Sequence, residues 1–322
     1  MKVGIIGSGL VGSTAAYALV MKGIGREIVL VDKDRKRCEA EARDLMHATP
    51  FAHALRIAAG GYEDLKDAKI VLLAAGAAQE PGQSRLDLVA KNAGIFREIL
   101  PRAISNAPDA VFLVATNPVD AMTQLTAEHL EAAGKPKSRA LGSGTTLDTA
   151  RFRALLGERI GVDPQHVHAY VIGEHGDSEV LPWSLVTIAG VPLEDFCRYR
   201  SIALCDEEKE EIERDVRNSA YSIIDGKGAT CYGIGSALAR IVDAVLKDRR
   251  SILTVSHPSQ GLVDGEEVSV SLPRLLGGNG VSATFQVTLE EPERRALRES
   301  ARKVHEAAGP IRGHRSPERG RI

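Results

Sequence analysis

Several things are scarce in this 322-residue sequence. Aromatic residues make up 4%, too few for the stacking platforms that hold single-stranded nucleic acid. Neither sign of charge is in excess: 41 Lys and Arg face 43 Asp and Glu, a net charge of -2. That excludes a chain-wide basic surface for nucleic acid, though not a local patch. The four cysteines, Cys38, Cys197, Cys205 and Cys231, make no Cys-x-x-Cys pair, so neither a disulfide framework nor a zinc knuckle is expected. No apolar run approaches the ~18 residues of a membrane span. Met1-Lys2 leads straight into Val3-Gly4-Ile5-Ile6 with no small-residue cleavage site, which reads as a first strand and not a signal peptide. Together these absences point to a soluble, cytoplasmic protein.

What is present is periodic. Residues 3–6, 27–31, 69–75 and 110–115 are short apolar runs bounded by Gly, Asp or Asn, as strands buried on both faces are. Helical patterns over 13–22, 34–47 and 86–105 lie between them, which predicts a doubly wound parallel sheet. The second half changes character. It predicts a helix near 146–158, a strand over 166–172 and a long charged helix from Asp206 to about Arg249, weakest at Gly226-Lys227-Gly228. Strands near 251–257, 267–272 and 283–289 suggest an antiparallel sheet, and a last helix covers 291–308.

Gly7-Ser8-Gly9-Leu10-Val11-Gly12 follows the first strand and opens a helix. Gly7 permits the tight turn, Gly9 lets backbone approach a pyrophosphate, and Gly12 lets helix and strand pack closely. The helix N-terminus adds N–H groups for the phosphate. Asp32 ends the second strand, where a carboxylate can accept from both ribose hydroxyls. It would repel a 2′-phosphate, favouring NAD over NADP, although Lys33, Arg35 and Arg37 nearby could partner such a phosphate. The expected architecture is α/β: a Rossmann domain over 1–143, an α+β substrate domain over 144–308, and a disordered Arg-rich tail over 309–322.

Gly173-Glu174-His175-Gly176-Asp177-Ser178 places a histidine between glycines just after an apolar strand. Histidine is the side chain whose ordinary pKa suits proton exchange near neutrality. Asp148 and Arg151 share one face of the helix opened by Gly142-Ser143-Gly144. An aspartate there can orient a histidine, and an arginine beside it can grip a carboxylate through two hydrogen bonds. The bland alternative is a solvated ion pair.

These segments, with Asn117 in Ala115-Thr116-Asn117-Pro118-Val119-Asp120 and Leu147-Asp148-Thr149-Ala150-Arg151, resemble the L-lactate/malate dehydrogenase family over about residues 1–308. The resemblance implies hydride transfer between NAD and a 2-hydroxy or 2-oxo acid. It makes His175 the proton donor and acceptor, Asp148 its orienting partner, Arg151 the carboxylate ligand and Asn117 a contact of the reacting oxygen. It adds Val11, Arg37, Tyr62, Gly76, Ala77, Ala115, Asn117 and Ser143 to the NAD contacts, and requires no metal.

In the Pro81-Gly82 loop it implies that Arg85 closes over the substrate carbonyl. The residue matching Gln79 is usually Arg in malate dehydrogenases, where it pairs the second carboxylate of oxaloacetate. A neutral Gln79 leaves that charge unpaired, which favours pyruvate and lactate. Thr230 matches a residue lining the methyl side of that pocket, and Ile234 could offer apolar surface to the nicotinamide. Arg153 and His168 match residues that bind fructose 1,6-bisphosphate at a subunit interface in many bacterial members, which implies a symmetric oligomer, a homotetramer or a dimer.

Three other readings compete: a malate dehydrogenase on the same scaffold, disfavoured by Gln79; an NAD-dependent glycoside hydrolase, which would need a metal held by Cys and His; and a catalytically dead NAD sensor. The tail from Gly309 carries a charge of +3, leaving -5 on the rest of the chain.

Overall fold

The computed structural model describes residues 1–77 and 85–311, without the side chains of residues 85 and 86. In the first half β1 (Lys2–Ile6), α1 (Leu10–Lys22), β2 (Glu27–Val31), α2 (Arg35–Ala48), β3 (Arg56–Ala59), β4 (Ala68–Leu73), α3 (Arg85–Asn106), β5 (Val111–Val114), α4 (Val119–Ala132) and β6 (Ala140–Gly142) follow one another. The strands pair in parallel in the order β6-β5-β4-β1-β2-β3, the doubly wound sheet read from the sequence. Successive apolar residues in each strand serve opposite faces. Ile5, Ile28, Leu30 and Leu72 pack with α1, whereas Ile6, Val29, Val31 and Leu73 share the core beneath α3 and α4. Strand order reverses between β1 and β4, so a crevice opens at their carboxyl ends.

Two elements here have no strong sequence signal. β3 is an edge strand with one large apolar residue, Ile57. In α4 polar Asp120, Thr123, Gln124 and Thr126 are buried along with the apolar residues, so no polar face marks a period.

The second half contains α5 (Thr146–Ile160), β7 (Val167–His168), β8 (Thr187–Ile188), β9 (Val191–Pro192), α6 (Leu193–Arg200), α7 (Asp206–Lys227), α8 (Tyr232–Leu246), β10 (Ser251–Val263), β11 (Glu266–Gly277), β12 (Gly280–Thr284) and α9 (Glu291–Ala308). Four expectations need correction. The long charged helix is two helices, because Gly228 at φ 83° ends α7 in the left-handed conformation. The strand expected over 166–172 shortens to β7; the Val171 N–H goes to Thr149 Oγ1 at 2.9 Å and not to a ladder. The last strand stops at Thr284, short of residue 289. Gly309–Ile311 form a 3₁₀ turn with Ile311 buried and its carbonyl accepting from Arg97 Nη2 at 2.8 Å. These three residues therefore leave the expected tail, and 312–322 lie outside the described residues.

The antiparallel strands also do not stand apart. β10 pairs with β6 at Ser256 and Gly142, so β12, β11 and β10 extend the parallel strands into one nine-stranded mixed sheet among the described residues. Among those residues no helix is long and apolar enough to cross a membrane.

Candidate active site

The crevice is bounded by the turn from β1 into α1. A Cβ on Gly12 would lie 1.9 Å from the Gly7 carbonyl oxygen, so α1 approaches this closely only with glycine there. Gly7, at φ +101°, faces the Ala75 backbone at 2.4 Å in the same sense. Gly9 is different: no atom lies within 4 Å of where its Cβ would be. That opening suits a pyrophosphate. No side chain caps α1 and its first turn holds no acid, so its N–H groups and positive end suit an anion.

Asp32 closes β2. Its Oδ2 accepts from the Ser8 N–H at 2.6 Å and Ser8 Oγ at 3.1 Å, and Oδ1 accepts from the Asp34 N–H at 3.0 Å. Burial opposes the charge, but these hydrogen bonds and Arg37 hold the carboxyl below its ordinary value. Arg35 pairs with Glu39 at 2.7 Å and Arg37 with Glu41 at 3.8 Å, so both have carboxylate partners within α2. A fixed anion beside engaged arginines suits unphosphorylated NAD.

Gly7, Gly9, Asp32, Arg37, Tyr62 and Gly76 line this cavity of about 650 Å³. Val11, Gly12, Ala77, Ala115, Asn117 and Ser143 are not in its lining. The Ala77 N–H donates to Asn92 Oδ1 at 2.8 Å, and Asn92 Nδ2 donates to the Asn117 carbonyl at 2.7 Å. Asn92, fully buried, thus ties the strand ends of β4 and β5 together, a role with no signal in the sequence. Arg102, over the Tyr62 ring at 4.0 Å, is a second unexpected lining residue.

The histidine lies in a loop pinned at its base. Ile172 and Val180 exchange two backbone hydrogen bonds at 2.9 Å, and Gly173 exchanges two with Ser271 of β11 at 2.8 Å. The His175 N–H donates to Asp120 Oδ2 at 2.8 Å, and Ser256 Oγ donates to Asp120 Oδ1 at 2.5 Å. The start of α5 is fixed to the same sheet: the Thr145 N–H donates to Ser271 Oγ at 3.1 Å, and Thr146 Oγ1 donates to the Thr254 carbonyl at 3.2 Å.

One turn of α5 then presents Asp148 to the loop. Its Oδ2 lies 2.6 Å from His175 Nδ1, and its Oδ1 accepts from Arg151 Nη1 at 2.8 Å. Burial works against the charges of both Asp148 and His175. For His175, the Asp148 anion outweighs it and raises the ring to about 9. For Asp148, His175 and Arg151 outweigh it and hold the carboxyl low. At neutral pH the three groups therefore carry one net positive charge. The Asp148 side chain is 3% exposed and that of His175 26%, so the anion is hidden and the imidazolium accessible. With Nδ1 on Asp148, Nε2 is the nitrogen left for a substrate oxygen.

Burial dominates at Asp120, whose carboxyl rises to about 6 despite its hydrogen bonds from Ser256 and His175. Asp148, His175 and Glu179 offer atoms within 4.8 Å of one another, a spacing that could hold a metal ion. Both Asp148 oxygens are already engaged, so the grouping reads as a proton-handling cluster.

Family models match this arrangement at both ends. Residues 1–142 match the lactate/malate dehydrogenase NAD binding domain, and residues 145–309 match the alpha/beta C-terminal domain of the same enzymes. The chain belongs to the lactate/malate dehydrogenase family. It is 55% identical over 311 residues to the L-lactate dehydrogenase of Geotalea daltonii, covering 97% of this chain and 99% of that one. The L-lactate dehydrogenase of Thermus aquaticus is 53% identical over the same share of each chain. The crystal structure of the minor L-lactate dehydrogenase from Enterococcus mundtii superimposes with a TM-score of 0.91 at 39% identity, covering 97% of this chain and 98% of that one. As a member of this family the protein is an NAD-dependent oxidoreductase.

The remaining residues singled out in the sequence are dispersed. Gln79 lies outside the described residues, and Arg85 opens α3 without a described side chain. Asn117 is exposed at the end of β5, and Thr230 is half-buried in the connection from α7 to α8. α8 returns to the site: Gly233 faces Leu147, next to Asp148, and Gly235 faces Thr14 of α1. Arg153 Nε donates to the Ala169 carbonyl at 3.0 Å, and burial lowers its pKa. His168, the neighbour of Ala169, is exposed on β7.

Proposed function

We propose that this family member is an L-lactate dehydrogenase that reversibly reduces pyruvate to L-lactate, with His175, Asp148, Arg151 and Arg85 as its catalytic residues. The observation carrying this reading is the Asp148 carboxylate shared between His175 Nδ1 and Arg151 Nη1. NAD, when bound in the crevice, supplies or takes up the hydride. His175 Nε2 donates its proton to the oxygen that gains charge, and Asp148 keeps the ring oriented and protonated. Arg151 keeps most of its five N–H donors for the substrate carboxylate. Arg85 is assigned to the carbonyl, Asn117 to the reacting oxygen and Thr230 to the methyl side.

Gln79 sets the choice of substrate: without a cation there, oxaloacetate would place its second carboxylate unpaired in the site. Fructose 1,6-bisphosphate is assigned to Arg153 and His168 across an interface of a homotetramer, the cell compartment is the cytoplasm, and the division of the chain falls at Ser143.

The test is NADH oxidation followed by absorbance with pyruvate and oxaloacetate, with and without fructose 1,6-bisphosphate. Pyruvate is expected to have the higher kcat/KM by at least about tenfold, and the bisphosphate to raise pyruvate affinity or the tetramer fraction. A preference for oxaloacetate overturns the reading of Gln79; indifference to the bisphosphate overturns that of Arg153 and His168.

A further inference from the structure

Glu179 is buried beside the catalytic pair without a part in the chemistry above. The residue is 4% exposed, its Oε1 has no hydrogen-bond partner among the described residues, and its carboxylate lies within 4.8 Å of the Asp148 and His175 atoms. Its backbone is fixed: the Glu179 N–H donates to the Gly176 carbonyl at 3.1 Å, and its own carbonyl accepts from Arg217 Nη2 at 3.3 Å. The charged groups facing it are Asp148 and Arg151 on α5, Arg217 on α7 and His175 on its own loop. Arg217 is shared with Glu213 at 2.9 Å, and Arg151 with Asp148. Asp120 of α4 accepts from the His175 backbone N–H.

A buried carboxylate with an unpartnered oxygen next to an anion is the arrangement most relieved by taking up a proton. We propose that Glu179 is a positioning residue that carries a proton in the pyruvate-binding form, preserving one net positive charge for the substrate carboxylate, and that losing this proton weakens pyruvate binding. Ionised, it would bring the sum over Asp148, His175, Arg151 and Glu179 to zero. Burial and the Asp148 charge both push the Glu179 carboxyl above the usual carboxylate range, consistent with this placement. The proposal rests on the reading of pyruvate as substrate and His175 as acid.

Two measurements test it. The first is kcat/KM for pyruvate between about pH 6 and 10 in the wild type and Glu179→Gln. With two ionisations in play, the wild-type alkaline limb should fall by more than tenfold per pH unit, whereas E179Q, which cannot ionise, should fall by about tenfold. Superimposable profiles overturn the proposal. The second is the infrared carbonyl band of an un-ionised carboxylic acid in the wild type, titrated over the same range. A band lost on the alkaline side and missing from E179Q supports it; a spectrum in which every such band persists in E179Q, as one from Asp120 would, overturns it. Wild-type protein that never turns over pyruvate overturns the functional reading instead, and the infrared band still decides whether Glu179 holds a proton.

Discussion

The crevice over β1 and β2 is made by leaving atoms out, and the cluster around His175 by burying charge. At Gly7, Gly9 and Gly12 the missing side chains create a close approach and a hole. At Asp120, Asp148 and Glu179 three acids are nearly sealed from water and kept there by specific partners or by raised proton affinity. The first kind of site depends mainly on backbone shape, and its half-buried anion, Asp32, is held below its ordinary value, so its charge does not change near neutrality. The second depends on which groups hold protons. The proposed reaction would thus run at a border between a steric site and an electrostatic one, and the two should fail in different ways.

The largest expected difference comes from His175→Ala. Turnover of pyruvate should drop by about 10³-fold or more, while NADH affinity, measured by fluorescence titration, stays within about twofold because no crevice-lining group is touched. A parallel loss of NADH affinity would erase the distinction. Gly12→Ala should do the reverse. Its Cβ would strike the Gly7 carbonyl, so the α1 turn must shift, weakening NADH by about tenfold and stability by about 1–3 kcal/mol. The pH dependence of the remaining activity should not change.

Asp120→Asn gives the smallest effect and the sharpest test of the electrostatic side. A carboxyl raised to about 6 in the folded state makes that state the better proton binder. Its contribution to stability is therefore greatest in acid and declines as pH rises from about 4 to about 6. The variant should lack that decline, a relative change of about 1–3 kcal/mol visible in Tm measured at several pH values. Equal pH slopes would show that Asp120 is not a titrating part of the cluster.

The steric half was also the more legible. Strands buried on both faces are continuous apolar runs, and the glycine loop and Asp32 lie within one βαβ unit, so local pattern carries them. Even there, β3 and α4 escaped, one for want of apolar residues and the other for want of a polar face. The electrostatic half was legible for Asp148, Arg151 and His175 as residue types, but not for their supports. The Asp120 bonds to His175 and Ser256 span 55 and 136 residues, and Asn92 reaches Asn117 across 25. No local period reports partners so far apart. Glu179 had still less to announce it, since what marks it is an oxygen with no partner among the described residues.

Ser256 has one further consequence. It pairs β10 with β6 at Gly142, and the same residue's hydroxyl holds Asp120, which in turn holds the backbone of His175. The joint between the two kinds of sheet is thus also the mounting of the proposed acid, His175. An enzyme hinged at that point would have to realign its proton source with its cofactor on every cycle. Here the backbone of the proposed acid and the turn from β1 into α1 hang from one continuous sheet, so the fold itself sets where they stand relative to each other.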